Sequence, residues 1–168
     1  LTPGDLVKVG RAVFKFLTSG NIETAYHEEI YNLSTTDGLT QLHNKRYLLE
    51  YLDREISRCH RYGRCLSLII LDIDHFKRVN DIFGHLAGDH VLKHMSTVIR
   101  SNIRMEDMMA RFGGEEFVVI LPVVESTGAR TCAEKIRKLV EATDFVYEGA
   151  KLPVTVSLGV VFCTKEVR

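Results

Sequence analysis

The sequence has no net charge, no long apolar run and no closely spaced pair of cysteines. Its 22 lysines and arginines are balanced by 22 aspartates and glutamates, which argues against a binder of nucleic-acid polymers or membrane surfaces. No apolar stretch reaches the roughly 18 residues of a membrane span, and the opening LTPGDLVKVG lacks the basic-then-apolar order of a signal peptide. The four cysteines form no C-x-x-C pair, so we expect buried thiols and a cytoplasmic location.

The 168 residues, 45% of them hydrophobic, suit one domain with a sizeable core and a fragment of a second. Turn signals at Gly4 and Gly10 bound two predicted strands, Leu6–Val9 and Ala12–Leu17. Two strands cannot bury a core. We therefore expect residues 1–20 to be the end of a β domain whose remainder lies upstream.

A polar amphipathic helix is predicted over residues 21–34, with Asn21 as its cap. Thr35–Gly38 ends it, so residues 21–36 connect the two parts of the chain. The plain interpretation is a connector helix. The sharper one is a signalling stalk that pairs with its twin in a dimer.

From residue 37 onward the hydrophobic pattern predicts one compact domain. Its predicted elements are a helix over Asn44–Cys59, a turn at Arg61–Arg64, a strand over Leu66–Leu71 ended by Asp72–Asp74, helical structure over 75–100 broken near Gly84 and Gly88, a hairpin of Met108–Phe112 and Phe117–Leu121 around Gly113-Gly114, a helix capped by Ser126 or Thr127, and a strand over Val154–Val161. The near-continuous apolar run Leu66–Leu71 indicates a central strand covered on both faces. This order predicts an α+β (α/β-sandwich), ferredoxin-like or palm-type βαββαβ fold, in which an antiparallel sheet carries helices on one side.

Acidic residues gather where this fold brings two central strands together. The first strand ends at Asp72-Ile73-Asp74 and the hairpin tip carries Glu115 and Glu116, so we expect Asp72 to lie close to both glutamates. Two to four carboxylates cannot all stay ionised without a counter-charge. Mg²⁺ takes oxygen ligands and leaves positions open for phosphate oxygens, and a pair of such ions would stabilise an in-line phosphoryl displacement.

The two glycines at the hairpin tip, Gly113 and Gly114, would let the backbone approach a triphosphate closely. The plainer interpretation of Gly-Gly-Glu-Glu is a tight turn with two solvated glutamates. The acids at the end of the preceding strand, Asp72 and Asp74, favour the cation site over that interpretation.

Three separated motifs resemble one known family. The hairpin Phe112–Phe117, FGGEEF, resembles the signature of the GGDEF domain, the diguanylate cyclases. Asp37–Arg46 matches the first motif of that family and Asp72–Asp89 its long central motif. The resemblance covers roughly residues 35–165, and the predicted domain spans residues 37–168. It implies an enzyme of bacterial signal transduction that condenses two GTP molecules into cyclic di-GMP and two pyrophosphates, each ribose 3′-OH attacking an α-phosphate.

The resemblance also implies a role for each matched residue. The metal ligands would be Asp72, the carbonyl of Ile73 and Glu115, which would hold two Mg²⁺ ions in each half-site, with Mn²⁺ as a substitute. The catalytic residues would be Glu115, which promotes loss of the ribose proton, Glu116 beside it, and Lys77, which faces the phosphate charge. The substrate-binding residues would be Asn80 and Asp89 at the guanine edge, with His85, Phe76, Gly113 and Gly114 around the nucleotide. Taken singly, Asn80, Lys77 and His85 would also suit ordinary turn or surface positions, and only their joint spacing favours the site.

Each domain of this family holds one GTP, so bond formation implies a homodimer in which two domains face each other. Arg104-x-x-Asp107, just before the hairpin, matches the inhibitory product site of the family. Arg104 would bind a guanine or phosphate of cyclic di-GMP, and Asp107 would accept a guanine N–H. Lys135 or Arg137 would add a basic contact. A helix-end ion pair is the alternative for Arg104 and Asp107.

A second function is compatible with the same motifs. A catalytically silent GGDEF domain would act as a cyclic di-GMP receptor or signalling adaptor through Arg104 and Asp107. The intact acids Asp72, Glu115 and Glu116 favour the enzyme, because a silent domain need not keep metal ligands.

The two ends of the sequence carry separate expectations. Members of the family continue after the last strand with a helix that carries a lysine and an arginine for the phosphates, and the sequence ends at Arg168, so we expect that segment to be missing. The first 20 residues resemble the last strands of an FHA domain, a phosphothreonine-reading β-sandwich. That domain would add a phosphothreonine peptide as a partner, and a generic β-hairpin is the alternative.

Overall fold

The computed structural model describes residues 2, 4–9, 12–16, 30–31 and 34–163, which fall into two compact units, 1–35 and 36–168. In the first unit, β1 (Leu6–Val9) pairs antiparallel with β2 (Ala12–Lys15). Both predicted strands are present, although β2 ends at Lys15. Most of their side chains are exposed, because two strands alone cannot bury a core.

The helix predicted over 21–34 lies mostly outside the described residues. Ile30, Tyr31, Ser34 and Thr35 are helical, and the Thr35 hydroxyl donates to the carbonyl oxygen of Tyr31 at 2.8 Å. The helix therefore includes Thr35, the first residue of the segment predicted to end it. The stalk role of this helix and the FHA origin of the β1–β2 hairpin stay predictions.

The second unit alternates helices and strands. Its described elements are α1 (Lys45–Tyr62), β3 (Leu66–Ile73), α2 (Phe76–Phe83), α3 (His85–Arg100), β4 (Met108–Gly113), β5 (Glu116–Pro122), α4 (Ser126–Ala142), β6 (Phe145–Tyr147), β7 (Ala150–Leu152) and β8 (Val156–Cys163). Strands β4, β5, β3 and β8 form one antiparallel sheet in that order, and β6 pairs with β7 in a separate hairpin. This order confirms the predicted α+β, ferredoxin-like arrangement.

The main core lies on one face of the sheet. It contains Ile69, Leu71 and Ile73 of β3, packed with buried residues of α2, α3 and α4. A smaller cluster on the opposite face contains Leu66 and residues of α1, β4 and β5. The prediction of helices on one side is therefore wrong, because the apolar stripe of α1 covers part of the second face.

The second face is covered only at the beginning of β3. Leu66 is 4% exposed and packs in the α1 cluster, whereas Ile70 is 46% exposed and Asp72 is exposed. The strand predicted to be buried on both faces is thus buried on both only in its first half. Its second half opens to solvent on the face that carries Asp72.

Several predicted boundaries are wrong. Helix α1 continues past Cys59 to Tyr62 and ends at Gly63, whose φ of 59° is left-handed. The chain between 75 and 100 breaks once, at Gly84, whose φ is 86°, and Gly88 lies inside α3. At the start of α4, Glu125 occupies the capping position and makes no side-chain capping bond, so neither Ser126 nor Thr127 caps the helix.

Residues 145–163 also differ from the prediction. The short hairpin β6–β7 was not predicted, and β8 spans Val156–Cys163 rather than Val154–Val161. Three-residue strands carry too little hydrophobic pattern for a prediction. Within the described parts of the chain, no helix has the length and apolar character needed to span a bilayer.

Candidate active site

Strands β3 and β5 bring three carboxylates together at one end of the sheet. Asp72 lies directly opposite Glu116 in the β3–β5 register, and Glu115 lies in the turn just before β5. Partial burial raises the pKa of Asp72, and the negative charges of Glu115, Glu116 and Asp74 raise it further. All of these effects disfavour the ionised carboxylate. The group therefore has a mutual repulsion that a bound cation would relieve.

These carboxylates do not by themselves surround a position for a metal ion. Among the described residues, no group of three or more His, Cys, Asp or Glu side chains is arranged to hold a metal ion. Asp72 and Glu115 would supply two side-chain ligands, and Ile73, whose side chain is 1% exposed, could add only its main-chain carbonyl. Such a sparse oxygen set fits Mg²⁺, which keeps waters and phosphate oxygens in its other positions.

Asp74 does not belong to this group, although the sequence favoured a cation site that included it. Its two carboxylate oxygens accept hydrogen bonds from the hydroxyls of Thr155 and Ser157, each at 2.6 Å. These two bonds, led by that from Ser157, lower the pKa of Asp74. The carboxylate is therefore occupied in joining the end of β3 to β8.

The hairpin tip differs by one residue from the predicted turn. Gly113 pairs with Glu116, and the register shifts between Arg111 and Gly113, so the two turn residues are Gly114 and Glu115. Gly114 has a left-handed φ of 51°, a conformation that glycine adopts without strain. A Cβ built on Gly113 or Gly114 would meet no atom within 4 Å. The backbone of the tip is thus open to a ligand.

Arg111 fastens this turn to the first motif. Its Nε and Nη2 donate to the carbonyl oxygen of Gly114 at 2.9 and 2.7 Å, and its Nη1 is 3.2 Å from Oδ1 of Asp37. Asp37 also accepts bonds from the main-chain N–H and hydroxyl of Thr40, at 2.8 and 2.7 Å. The two ion-paired side chains are 15% and 23% exposed. The sequence analysis predicted no role for Arg111. The only indication of one was a basic residue two positions before the first of the two glycines.

We expect Arg111→Ala to lower the free energy of unfolding by about 1–3 kcal/mol, because it removes a partly buried charged hydrogen-bond network. Amide exchange at Gly114 and Glu115 should become faster. Urea unfolding and hydrogen exchange measure the two effects. Arg46→Ala is the matched control, because the Arg46–Glu50 pair is 70% and 57% exposed and should contribute no more than about 0.5 kcal/mol. Equal losses in both variants would contradict the fastening role.

The α2–α3 junction brings together the two residues predicted to recognise guanine. Asp89 is next to Gly88 on the first turns of α3, and a Cβ built on Gly88 would lie 1.9 Å from Oδ1 of Asn80. The Asn80 amide therefore packs directly on the α3 backbone beside Asp89. Phe76 is only 7% exposed and belongs to the main core. Phe76 can support this junction from the core, but its ring is too buried to line a pocket that is open to a ligand.

The remaining predicted residues lie at the surface. Lys77 is the second residue of α2, which begins after a turn at His75, whose φ of 55° is unusual for a residue with a side chain. Lys77 and His85 are exposed on α2 and at the start of α3. No positive charge is among the groups that shift the pKa of Asp72.

The Arg104–Asp107 segment forms a tight turn. The main-chain N–H of Arg104 donates to Oδ2 of Asp107 at 2.9 Å, and the Asp107 N–H donates back to the Arg104 carbonyl oxygen at 3.3 Å. Asp107 is 4% exposed, and its Oδ1 has no hydrogen-bond partner among the described residues. Burial raises the pKa of Asp107. The alternative interpretation was a helix-end ion pair between Arg104 and Asp107, but the Arg104 guanidinium approaches Glu106, at 4.0 Å.

A cavity of about 300 Å³ adjoins the turn and is lined in part by Arg100, Glu106 and Asp107. Lys135 donates to the carbonyl oxygen of Asn102 at 2.9 Å and so lies close to this region. Arg137 is held by Glu134 and Glu141, at 2.9 and 3.0 Å. Of the two predicted basic contacts, Lys135 is therefore the better placed.

The sequence profile described as "Diguanylate cyclase, GGDEF domain" matches residues 34–168. Diguanylate cyclase DgcP of Pseudomonas aeruginosa is 46% identical over 139 residues, which is 81% of this chain and 21% of that protein. Response regulator PleD of Caulobacter vibrioides is 43% identical over 130 residues, 76% of this chain and 29% of that protein. The chain thus spans only about a fifth to a third of the length of these relatives.

Solved structures agree with the sequence relatives. The coiled coil and GGDEF domain of DgcB from Caulobacter crescentus, in complex with c-di-GMP, superposes with a TM-score of 0.80 and 32% identity over 85% of this chain and 76% of that one. Diguanylate cyclase SiaD of Pseudomonas aeruginosa, in complex with its activator SiaC, superposes with a TM-score of 0.78 and 35% identity. The match covers 88% of this chain and 56% of that one. The sheet order, the acidic hairpin and these matches agree, and the chain belongs to the GGDEF domain family of diguanylate cyclases.

Proposed function

We propose that the chain is the catalytic domain of a diguanylate cyclase, which condenses two GTP molecules into cyclic di-GMP and two pyrophosphates. The observation that carries this proposal is the position of Asp72 opposite Glu116, with Glu115 in the adjoining open turn. Relatives named as diguanylate cyclases at 39% and 46% identity support it. A silent domain would have no need for repelling carboxylates at this end of the sheet.

The acids would hold the metal and remove a proton. Asp72, Glu115 and the carbonyl of Ile73 would bind Mg²⁺ or Mn²⁺, two ions in each half-site, which supplies charge neutralisation at the α-phosphate. Glu115 would accept the ribose 3′-OH proton, with Glu116 close by. The 3′ oxygen then bonds to phosphorus, and the bond from phosphorus to the pyrophosphate oxygen breaks. Lys77, exposed at the start of α2, would face the charge on the leaving group.

The substrate would be oriented by groups on two elements. Asn80 and Asp89 offer an amide and a carboxylate to the acceptor and donor groups of the guanine edge. The exposed tip at Gly113 and Gly114 offers main-chain N–H groups to the phosphates. His85 would lie along the nucleotide, and Phe76 would act only by supporting Asn80 from the core.

The direct test is incubation of the chain with GTP and Mg²⁺, followed by chromatographic separation of the nucleotides. We expect cyclic di-GMP and pyrophosphate in a ratio of one to two. If GTP is recovered unchanged while cyclic di-GMP added separately still binds, the receptor function replaces the enzyme. Omission of the divalent ion should abolish turnover and leave the folded state intact.

Because each chain would hold one GTP, we expect activity per chain to depend on protein concentration. Serial dilution through the dimer dissociation constant should lower the rate per chain, and fusion to a dimerising coiled coil should restore it. Initial rates at saturating GTP measure this effect. A constant rate per chain at every dilution, with a monomer by light scattering, would contradict the shared-site mechanism.

A cyclic di-GMP site at the Arg104–Asp107 turn is a second proposal. The buried Oδ1 of Asp107 lacks a partner among the described residues and adjoins a cavity, so a ligand N–H would satisfy it. The Arg104 side chain is 68% exposed and is available to a phosphate or guanine. The DgcB domains solved with c-di-GMP make this ligand the first to test.

We expect Arg104→Ala to leave the initial rate within about twofold and to weaken cyclic di-GMP binding by about 10- to 100-fold, as for one charge-assisted contact. Calorimetry and progress curves measure the two quantities. Arg130→Ala is the matched control, because Arg130 is an exposed arginine of α4. An unchanged dissociation constant in Arg104→Ala would remove the proposed site.

A further inference from the structure

Three of the four cysteines meet at one corner of the domain, away from the acidic hairpin. Cys59 lies in the last turn of α1, Cys65 immediately precedes β3, and Cys163 ends β8. Cys163 pairs with Leu66 in the β3–β8 register. Cys59 and Leu66 belong to one buried cluster against which Cys163 packs. Helix α1 and two neighbouring strands therefore bring these thiols together from distant parts of the chain.

Cys59 and Cys163 are linked by packing, because Cys163 lies against the buried cluster that contains Cys59. Both Cys163 and Cys65 are near enough to Cys59 to raise its pKa. The Cys59 thiol also donates to the carbonyl oxygen of Arg64, which fixes the position of its sulfur. None of the four cysteines, all of which are described, is disulfide-bonded in this structure.

This corner does not fit a metal ion. Within residues 34–163 and the shorter described segments, no set of three or more His, Cys, Asp or Glu side chains is arranged to hold one. Two thiols packed at one buried cluster have another chemistry, which is oxidation to a disulfide. The main obstacle to that bond is geometric, and the packing of Cys163 against the cluster of Cys59 and Leu66 brings the two residues into one region.

A cavity of about 600 Å³ gives reagents a way in. It is lined by Cys59 and Cys65, together with Arg58, Arg64 and Arg104. Two glutamates, Glu55 and Glu106, also line it, so the arginines leave a net positive charge. A small anionic disulfide such as oxidised glutathione would be drawn to such a surface.

We propose that Cys59 and Cys163 are a redox-active dithiol pair, a modification site at which oxidised glutathione forms an intramolecular disulfide between α1 and β8. One protein thiolate attacks a glutathione sulfur, and the sulfur–sulfur bond of the oxidant breaks to release one glutathione thiolate. The second protein thiolate attacks the protein sulfur of this mixed disulfide and releases the second glutathione. The protein pair loses two electrons and two protons, and the oxidant is reduced to two glutathione thiols.

The rate of disulfide formation should be limited by Cys59, the more buried thiol of the pair. Burial raises the pKa of the Cys59 thiol, and the neighbouring Cys163 and Cys65 raise it further. Less thiolate is therefore present at neutral pH than for an ordinary cysteine, and the reaction should accelerate as pH rises.

The test uses the whole chain, first reduced and then incubated with oxidised glutathione. The remaining thiols are alkylated, the protein is digested without reductant, and the peptides are identified by mass spectrometry. We expect a cross-linked peptide that joins Cys59 to Cys163, with a loss of about 2 Da for the two hydrogens removed. Dithiothreitol should reverse it.

Variants locate the bond. Cys163→Ser should reduce the cross-linked peptide to background, and Cys132→Ser, on α4, should leave its yield unchanged. Cys163 lies at the end of the edge strand β8, so we expect this variant to fold even if Cys59→Ser, at a buried position, does not. Glutathione adducts without a cross-link, a bond from Cys59 to Cys65 instead, or no oxidation at all would each overturn the proposal.

Discussion

Glu115→Gln is expected to abolish formation of cyclic di-GMP from GTP and Mg²⁺, with a loss of at least about 10³-fold in rate. Glutamine keeps the size and one oxygen of the side chain. It cannot accept the ribose proton as a carboxylate does, and it is a much weaker metal ligand. One substitution therefore removes both functions proposed for Glu115. Product formation at saturating GTP over a range of Mg²⁺ concentrations measures the loss.

The same variant should fold at least as well as the parent. Glu115 is one of the charges that raise the pKa of Asp72, so its neutralisation relieves repulsion at the end of β3. The thermal midpoint should stay constant or rise while activity disappears. This combination separates a lost catalytic group from a damaged fold.

Two matched variants complete the experiment. Glu116→Gln, which changes the exposed partner of Asp72 in the register, should cause a smaller loss because Glu116 is not proposed as a metal ligand. Glu125→Gln, at the start of α4 and beyond the far end of β5, should be neutral. Turnover of Glu115→Gln within about tenfold of the parent would contradict the assigned metal site.

The sheet and the acidic cluster were predictable from the sequence because both depend on local pattern and simple topology. The apolar run Leu66–Leu71 identified a central strand, and the glycines before Glu115 identified a hairpin. Placing both at the centre of an antiparallel sheet is enough to bring Asp72 opposite Glu116. No long-range side-chain information was needed for that step.

The contacts that were missed all join residues far apart in sequence. Asp37 and Arg111 are separated by 74 positions, and Asp74 and Ser157 by 83. Nothing near Arg111 indicates that its guanidinium reaches back to the first motif, and nothing near Asp74 indicates that two hydroxyls of the β8 region occupy it. Such pairings depend on how elements pack, which the order of residues does not express.

The position of α1 was missed for a related reason. Its apolar side chains recur at helical spacing, and two of them, Leu48 and Cys59, are buried. The pattern indicates that a face is buried, but it does not indicate which side of the sheet buries it. The β6–β7 hairpin did carry one signal, Glu148-Gly149, whose φ values of 49° and 81° form its turn. Gly149 alone would have supported a turn there.

Gly88→Ala should lower kcat/KM for GTP by about 10- to 100-fold, which corresponds to the loss of one or two hydrogen bonds to guanine. The added methyl carbon would stand 1.9 Å from Oδ1 and 3.0 Å from Cγ of Asn80. The Asn80 amide must therefore move away from the α3 backbone at Gly88. It then loses the position from which we propose that it recognises the base. Initial rates over a range of GTP concentrations measure the effect, which should appear mainly in KM.

The cost to folding should be small, because two effects oppose each other. Alanine favours a helix interior over glycine by about 1 kcal/mol. The same carbon would also lie 3.1 Å from Cζ of Phe76, a ring 7% exposed in the core, and that crowding costs a similar amount. Gly128→Ala in α4, where the new carbon would meet only Val124, at 3.0 Å, is the matched control and should leave KM unchanged.

A double-mutant cycle decides whether Gly88→Ala acts through Asn80. If the methyl group harms binding only by displacing this amide, Asn80→Ala should cause a similar loss, and the double variant should be no worse than Asn80→Ala alone. The coupling energy then equals nearly the whole effect of Gly88→Ala. If the two losses add instead, the methyl group does not act through Asn80, and the glycine matters for another reason, such as direct contact of the nucleotide with the α3 backbone.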